Sequence, residues 1–275
     1  MKIVVTGATG NVGRPLVQTL TAAGATVAAV SRNAGPSPAS FAADLGDPAS
    51  LRPALPGADA LFLLVPGAPI DHRALVATVR ESGVPRIVLL SSQAAGTRPD
   101  APSHAPLRDL EAAVQDSGAR WTILRPGGFA SNTFAWAPSI RARRVAYAPY
   151  VDVALPLVDP DDIAAVAATV LLAGAGHDDA TYVLTGPEAT TPRDRAAAIA
   201  AATGAPVDLV EQTPQEARAQ LLTFMPPPIA DGTLAILGRP RPDEQAVSPD
   251  VERVLGRPPA PFQTWATRNA AAFTS

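Results

Sequence analysis

The 275-residue chain has no cysteine. That excludes a disulfide framework and any thiolate metal site. Lysine is nearly absent as well. Lys2 is the only one, so no lysine further along can act as a catalytic amine or acidify a neighbouring tyrosine. Aromatic residues are scarce at 5% of the chain, which makes their clustering informative. The three histidines, His72, His104 and His177, are far apart and have no metal-ligand spacing, so no metal is expected. No apolar run approaches the roughly 20 residues of a membrane span. No charged and apolar leader precedes the first apolar run. A soluble, cytoplasmic protein is the expectation. The net charge of −3 argues against a nucleic-acid surface, and a hydrophobic content of 47% is enough for a sizeable core.

What is present begins at the first residue. Ile3 to Val5 form an apolar run that leads into Gly7, Gly10 and Gly13, and Val12, Leu16, Val17 and Leu20 then recur at helical spacing. This reads as a strand, a tight glycine turn and a helix N-terminus. Such a turn lets backbone approach a pyrophosphate, and the N–H groups and dipole of the helix favour its negative charge.

Further short apolar runs follow at Val27–Val30, Ala60–Val65, Arg86–Ser92 and Trp121–Leu124. They are unbroken rather than alternating, as expected for parallel strands covered on both faces. Helical stretches separate them at 12–23, 71–82 and 105–117, and glycines at Gly24, Gly83 and Gly118 mark their ends. Repeated strand–helix units imply a Rossmann-like α/β fold with a doubly wound parallel sheet. After residue 126 the regularity fades. A helix is expected from Asp159 to about Ala173, a strand over Thr181–Leu184, a helix opening at Thr191-Pro192 and a last helix over Phe262–Phe273, with Pro226-Pro227-Pro228 as the clearest breaker. The expectation is one domain over 1–275. Its sheet core spans about 1–126 plus later returning strands, and a smaller C-terminal α/β substrate lobe is built mainly from 127–160 and 186–275.

Gly7-Ala-Thr-Gly-Asn-Val-Gly13, Leu89-Leu-Ser-Ser92 and Thr122-Ile-Leu-Arg-Pro126, followed by Phe129 and Asn132, resemble the NmrA-like branch of the atypical short-chain dehydrogenase/reductases. That group includes NAD(P)H-dependent quinone reductases, triphenylmethane reductases and non-catalytic redox-sensing regulators. The resemblance is strong to about residue 170 and vague beyond.

It implies a nicotinamide cofactor, held at the turn by Gly7, Gly10 and Gly13 with Thr9, Asn11 and Val12 supplying backbone N–H groups. The second strand ends Val30-Ser31-Arg32-Asn33 without an acid. A carboxylate there would pair with a ribose 2′-hydroxyl, whereas an arginine pairs with a 2′-phosphate, so NADP(H) is favoured over NAD(H), with Ser31, Arg32 and Asn33 around the phosphate. Asp44-Leu45 matches the family's adenine edge, although Asp44 reads equally as a helix cap near Asp47-Pro48. Leu64, Val65 and Pro66 should border the adenosine ribose and pyrophosphate, and Ser91, Ser92 and Gln93 the nicotinamide ribose. Pro126, Gly127, Gly128 and Phe129 should lie beside the nicotinamide.

Ordinary short-chain dehydrogenases use a Tyr-x-x-x-Lys pair to donate a proton. Here tyrosine occurs only at Tyr147, Tyr150 and Tyr182, and no lysine follows Lys2. His104 is either a replacement donor or an ordinary exposed histidine at a helix start. Arg108 and Glu111, one turn apart, read as a surface ion pair, and Arg141, Arg143 and Arg144 as a solvated face. Reducing a ketone makes a basic alkoxide that needs a donor. Reducing a quinone makes a phenolate-like anion, whose conjugate acid has a pKa of about 10 and needs little help. The site therefore favours conjugated acceptors such as quinones and enones, and a place in secondary metabolism is the expectation. Phe134, Trp136, Tyr147, Tyr150, Phe224 and Met225 are the candidate lining for a flat substrate, or core of the smaller lobe. Asn132 matches a family position beside the substrate. A non-catalytic NADP(H)-sensing regulator, and a tailoring enzyme on polyketide-like aromatics, remain alternatives. The expected partner is a small aromatic or conjugated molecule, with no nucleic acid or membrane, and the protein a monomer or homodimer.

Overall fold

The computed structural model describes residues 1–274 except positions 36, 38 and 66–69. In chain order its elements are β1 (Lys2–Thr6), α1 (Gly13–Ala22), β2 (Thr26–Ser31), β3 (Ser40–Ala42), β4 (Ala60–Leu64), α2 (His72–Glu81) and β5 (Arg86–Leu90). Next come α3 (Gln93–Thr97), α4 (Ala105–Gln115), β6 (Arg120–Pro126), α5 (Ala137–Arg143), β7 (Val145–Ala148), α6 (Pro160–Leu172) and β8 (Ala180–Leu184). The chain ends with α7 (Pro192–Thr203), β9 (Asp208–Glu211), α8 (Pro214–Leu221), α9 (Pro227–Gly238), α10 (Pro242–Gln245), α11 (Asp250–Leu255) and α12 (Phe262–Arg268).

Seven strands form a parallel sheet in the order β3-β2-β1-β4-β5-β6-β8. The order reverses at β1, and in such sheets the crevice beyond the carboxyl ends of the strands at that point receives the ligand. The middles of the central strands are largely apolar because both faces are covered. Along β1, Ile3 and Val5 enter one core layer and Val4 the other. Val88 and Leu90 of β5 likewise separate from Ile87 and Leu89. This is the two-residue side-chain period acting on a sheet without a wet face. One layer is closed by α1 and α6, through Leu16, Leu20, Ile163 and Val166, and the other by α2 and α4, through Leu75, Val79, Leu110 and Val114.

Helix starts follow side-chain chemistry. The carboxylates of Asp71 and Asp159 accept from Ala74 N and Asp161 N at the starts of α2 and α6. Thr191 and Asp194 form a capping box on α7, as Thr213 and Glu216 do on α8. A third core, separate from the sheet layers, contains Trp136, Ile140, Leu155, Ile199, Phe262, Trp265 and Phe273. Beside it lies a two-stranded parallel sheet, β7–β9, which the sequence pattern did not reveal.

Pro226-Pro227-Pro228 separates α8 from α9, as expected, and its prolines occupy the cap and first turn of α9, where an N–H has no helical partner to lose. Two expectations change here. The last helix is interrupted at Asn269 and resumes as a 3-10 turn over Ala270–Phe273. Residues 250–255, counted with the covering lobe, return to the sheet, where Val251 is buried in the layer of α1 and α6.

Candidate functional site

The glycine turn joins β1 to α1. Gly7 has φ +64°, a conformation that costs a side chain. A Cβ on Gly13 would collide with the Gly7 carbonyl, so the close approach of helix to strand requires glycine there. Gly10 N donates to Gly7 O at 2.9 Å, and Ala8 N ties the turn to Val30 O at 3.1 Å. The start of α1 has no side-chain cap and no acidic residue in its first turn, so its N–H groups and positive dipole end fit the pyrophosphate of a dinucleotide. Thr9 and Asn11 are exposed beside it, Val12 is buried, and Asn11 Nδ2 donates to Ser131 Oγ at 3.2 Å.

At the end of β2, Ser31 Oγ donates to Asn33 O at 2.5 Å, which shapes the loop, while Arg32 and Asn33 are exposed. Asp44 caps no helix: Oδ1 accepts from Gly46 N at 2.9 Å within its own turn, and Asp47 does the capping through Ala49 N. Leu45 is 6% exposed and belongs to the core layer of α2 and α4, so its side chain is not at a binding surface. Leu64 and Val65 are half-buried, with Leu64 packed over Gly7. Pro66 lies outside the described residues.

At the end of β5, Ser91 is buried and its hydroxyl donates to Glu111 Oε1 at 2.5 Å, so it serves a carboxylate in the core. Arg125 donates to the same Glu111 through Nε at 2.9 Å and Nη2 at 2.6 Å. Glu111 is therefore not a surface partner of Arg108, whose guanidinium donates instead to Arg98 O and Ala101 O. Ser92 Oγ accepts from Ala94 N at the start of α3, and Gln93 Nε2 donates to Asp243 O at 2.9 Å.

A cavity of about 460 Å³ opens beyond these strand ends. Ser92, Gln93, Pro126, Gly127, Gly128 and Phe129 line its sheet side. His104, Asn132, Trp136, Tyr147, Tyr150, Phe224 and Met225 also line it, so side chains from widely separated segments converge on one space. Tyr150 has φ +52°, rare for a bulky residue, and its ring packs directly against Gly238 of α9. Phe134 is the exception. Its ring is 4.9 Å from that of Trp265 and 6.0 Å from that of Phe273, in the core of the third cluster rather than on the cavity wall.

His104 Nδ1 is 2.9 Å from Ser103 Oγ. Burial, then the positive charges of Arg108 and Arg98, hold its pKa below the ordinary histidine value, against a weaker pull from Glu244. The ring is therefore neutral near neutral pH, with one N–H and one acceptor nitrogen rather than the two donors of an imidazolium. Burial alone would raise Glu244, but hydrogen bonds from Arg98, Arg241 N and Thr97 prevail and keep it ionised.

Sequence reasoning missed Arg195, Gln212, Gln220, Leu234 and Glu244, all on the cavity wall. A signal existed for Arg195, an arginine on the helix face that also carries Pro192, Ala196 and Ile199, all buried. The other basic run was misjudged at Arg144, which is not a solvated arginine. Its guanidinium donates to Pro206 O, Phe273 O, Thr203 Oγ1 and Ala205 O. Among the described residues there is no cluster of three His, Asp or Glu able to hold a metal ion, and no helix long and apolar enough to cross a membrane.

Residues 7–174 match the family described as NAD(P)H-binding. The chain is 39% identical to (4-alkanoyl-5-oxo-2,5-dihydrofuran-3-yl)methyl phosphate reductase of Streptomyces griseus, over 98% of this chain and 99% of that protein. It is 33% identical to the NAD(P)H azoreductase of Xenophilus azovorans, over 98% and 99% of the two chains. The crystal structure of the NADPH-dependent quinone oxidoreductase QOR2 of Escherichia coli, complexed with NADPH, aligns with a TM-score of 0.78 at 26% identity, covering 97% of this chain and 99% of that one.

Proposed function

From the premise that the chain belongs to the NAD(P)H-binding family, as an NmrA-like atypical short-chain dehydrogenase/reductase and an NAD(P)H oxidoreductase, we propose that it uses NADPH to reduce a conjugated, electron-poor acceptor such as a quinone or enone. The observation that carries this reading is the cavity beyond β5 and β6. Its histidine is held neutral, and the chain contains no Tyr-x-x-x-Lys pair to protonate an alkoxide. The relatives' names point the same way, toward a quinone, an azo bond and an unsaturated lactone bearing an acyl group and a methyl phosphate.

A reduced nicotinamide supplies a hydride from its C4. The chain's part is binding, orientation and exclusion of water. The glycine turn and the uncapped start of α1 hold the pyrophosphate, and Arg32, with no acid at 31–33, pairs with the 2′-phosphate. Gly127 and Gly128 let Gln93 and Leu157 pack close to the backbone at the sheet edge, beside the space where a flat ring would lie. Trp136, Tyr147, Tyr150 and Met225 give the acceptor an apolar wall. Asn132 and the neutral His104 donate hydrogen bonds to the oxygen that gains negative charge, and water completes protonation. The whole chain acts as one unit, because cavity residues come from both the sheet and the covering lobe.

The test is NADPH oxidation against a panel of quinones, enones and unactivated ketones, with NADPH carrying deuterium at C4. Quinones and enones should turn over, unactivated ketones should be poor, and an enone product should carry the label on carbon. Efficient reduction of ketones with quinones and enones inert would overturn the reading. Tight NADPH binding without turnover of any acceptor would replace it with a redox-sensing regulator.

A further inference from the structure

Arginines whose partners are buried acids are fully matched in this protein. Glu244 has Arg98, Glu111 has Arg125, Asp162 has Arg257, and Asp159 has Arg268, each within 2.8 Å. Arg195 breaks the pattern. It lines the cavity, and its guanidinium lies over the Trp136 ring, 5.4 Å from the centroid. Its one hydrogen bond is from Nε to Thr191 O at 3.3 Å. Among the described residues no carboxylate comes within ion-pair distance of it. The adjacent Asp194 is committed elsewhere, accepting from Thr191 N at 2.8 Å and from Thr191 Oγ1 at 2.7 Å.

Arg195 is half-buried against Trp136, and a partly desolvated charge without a carboxylate partner is costly. Burial pushes the Arg195 guanidinium down to about 10, with only Asp194 pulling the other way, and even there it remains cationic at neutral pH. Stacking on Trp136 does not account for it, since a methionine or leucine would cover the indole without the desolvation. Among the described residues both terminal nitrogens lack a partner, and their planar fork matches the two oxygens of a phosphate or carboxylate. The surroundings agree. Gln212 and Gln220 on the cavity wall hydrogen-bond to one another, Nε2 to Oε1, at 3.0 Å. Thr133, also on the wall, has a buried hydroxyl with no partner. The carboxylate on the wall, Glu244, is neutralised by Arg98, so the unmatched charge of the cavity is positive.

We propose that Arg195 is the anion-recognition residue of this cavity and that the substrate of the reductase carries an oxyanion substituent, which the guanidinium clamps through two hydrogen bonds. This rests on the reading of the cavity as the acceptor site and adds to it a substrate class and a specificity-determining residue. The anion directs which conjugated acceptor is held.

Two measurements test it. The first is calorimetric binding of phenyl phosphate, benzoate, benzenesulfonate and benzyl alcohol to the NADPH-loaded protein. The oxyanions should bind about tenfold to a hundredfold more tightly than the alcohol, the span of a charge-assisted hydrogen bond. Their order separates a phosphate site from a carboxylate or sulfonate one. Arg195→Gln should abolish the preference, and Arg195→Lys should keep part of it, since a lysine retains the charge but not the fork. The second is the ratio of kcat/KM for 1,4-naphthoquinone-2-sulfonate to that for 2-methyl-1,4-naphthoquinone. Arg195→Gln should lower this ratio about tenfold or more, chiefly through KM. Equal binding of anions and alcohol by the wild type overturns the proposal, and this arm stands even if the glutamine variant fails to fold. A preference that survives in Arg195→Gln also overturns it. If neither quinone is reduced while the binding preference holds, the reductase reading fails and the anion site stands. Turnover of both quinones without any anion preference gives the reverse.

Discussion

The imidazole of His104 shares its surroundings with two guanidiniums, Arg98 and Arg108, and is partly buried beside α9, where Gly232 makes room for the adjacent Ser103. Its folded pKa is therefore depressed. Between the ordinary value near 6.5 and the lower folded value, the unfolded chain binds more protons, so stability rises with pH across that window. The loss on acidification begins as pH falls below about 6.5 and is complete below the folded pKa. His72 adds a loss of the same sign, because burial also lowers it, against Asp109 and Asp71. Urea midpoints measured from pH 7.5 to 5 should fall on acidification, and less steeply in His104→Asn. An NMR titration placing His104 at or above 6.5 would contradict this.

At the scale of elements, one carboxylate joins three of them. Glu111 reaches from α4 to Ser91 at the end of β5 and to Arg125 on β6. Arg125 in turn runs past Gly96 of α3, where any Cβ would meet its guanidinium. Glu111 is 4% exposed, so Glu111→Gln would strand a cation and weaken the hold on Ser91. Breaking a buried pair costs about 3–5 kcal/mol. The low end is expected, because the Arg125 side chain keeps 26% of its exposure and water can take over part of its solvation. Chemical denaturation should read the loss. A change under about 1 kcal/mol would show that the network contributes orientation rather than stability. The same network sets the edge of β5 and β6 against which Gly127 and Gln93 meet the cavity.

For the molecule as a whole, the sheet and the covering lobe are joined by ion pairs such as Asp162–Arg257 and Glu244–Arg98 and by Val251 in the sheet layer, and the cavity lies between them, so a ligand that bridges them should stabilise both. At a hundred times its dissociation constant a ligand adds about 2.7 kcal/mol. For a chain of this size that is a rise of roughly 5–10 °C in Tm. NADPH should raise Tm more than NADH at equal concentration, and the two shifts should converge in Arg32→Ala. Equal shifts in the wild type would remove Arg32 from the 2′-phosphate.

The order of residues alone determined the architecture and the turn. Unbroken apolar runs are a short-range signal of strands covered on both faces, and Gly7 and Gly13 occupy places where backbone geometry admits no side chain. Hence the parallel sheet, six of whose seven strands show as apolar runs while Ser40–Ala42 does not, and the placing of Gly127–Phe129 at its carboxyl edge, could be read without coordinates. Tertiary structure decided which way individual side chains faced. Phe134 and Trp136 are two residues apart and both pack in the core around Trp265, yet only Trp136 also reaches the cavity. Glu111 and Arg144 read as surface charges because their partners, Arg125 and the carbonyls near 205 and 273, are distant in sequence. Arg195 passed unnoticed among its charged neighbours for the same reason. Local patterns fix backbone conformation, but the environment of a polar side chain depends on long-range contacts that form only when the lobe closes over the sheet.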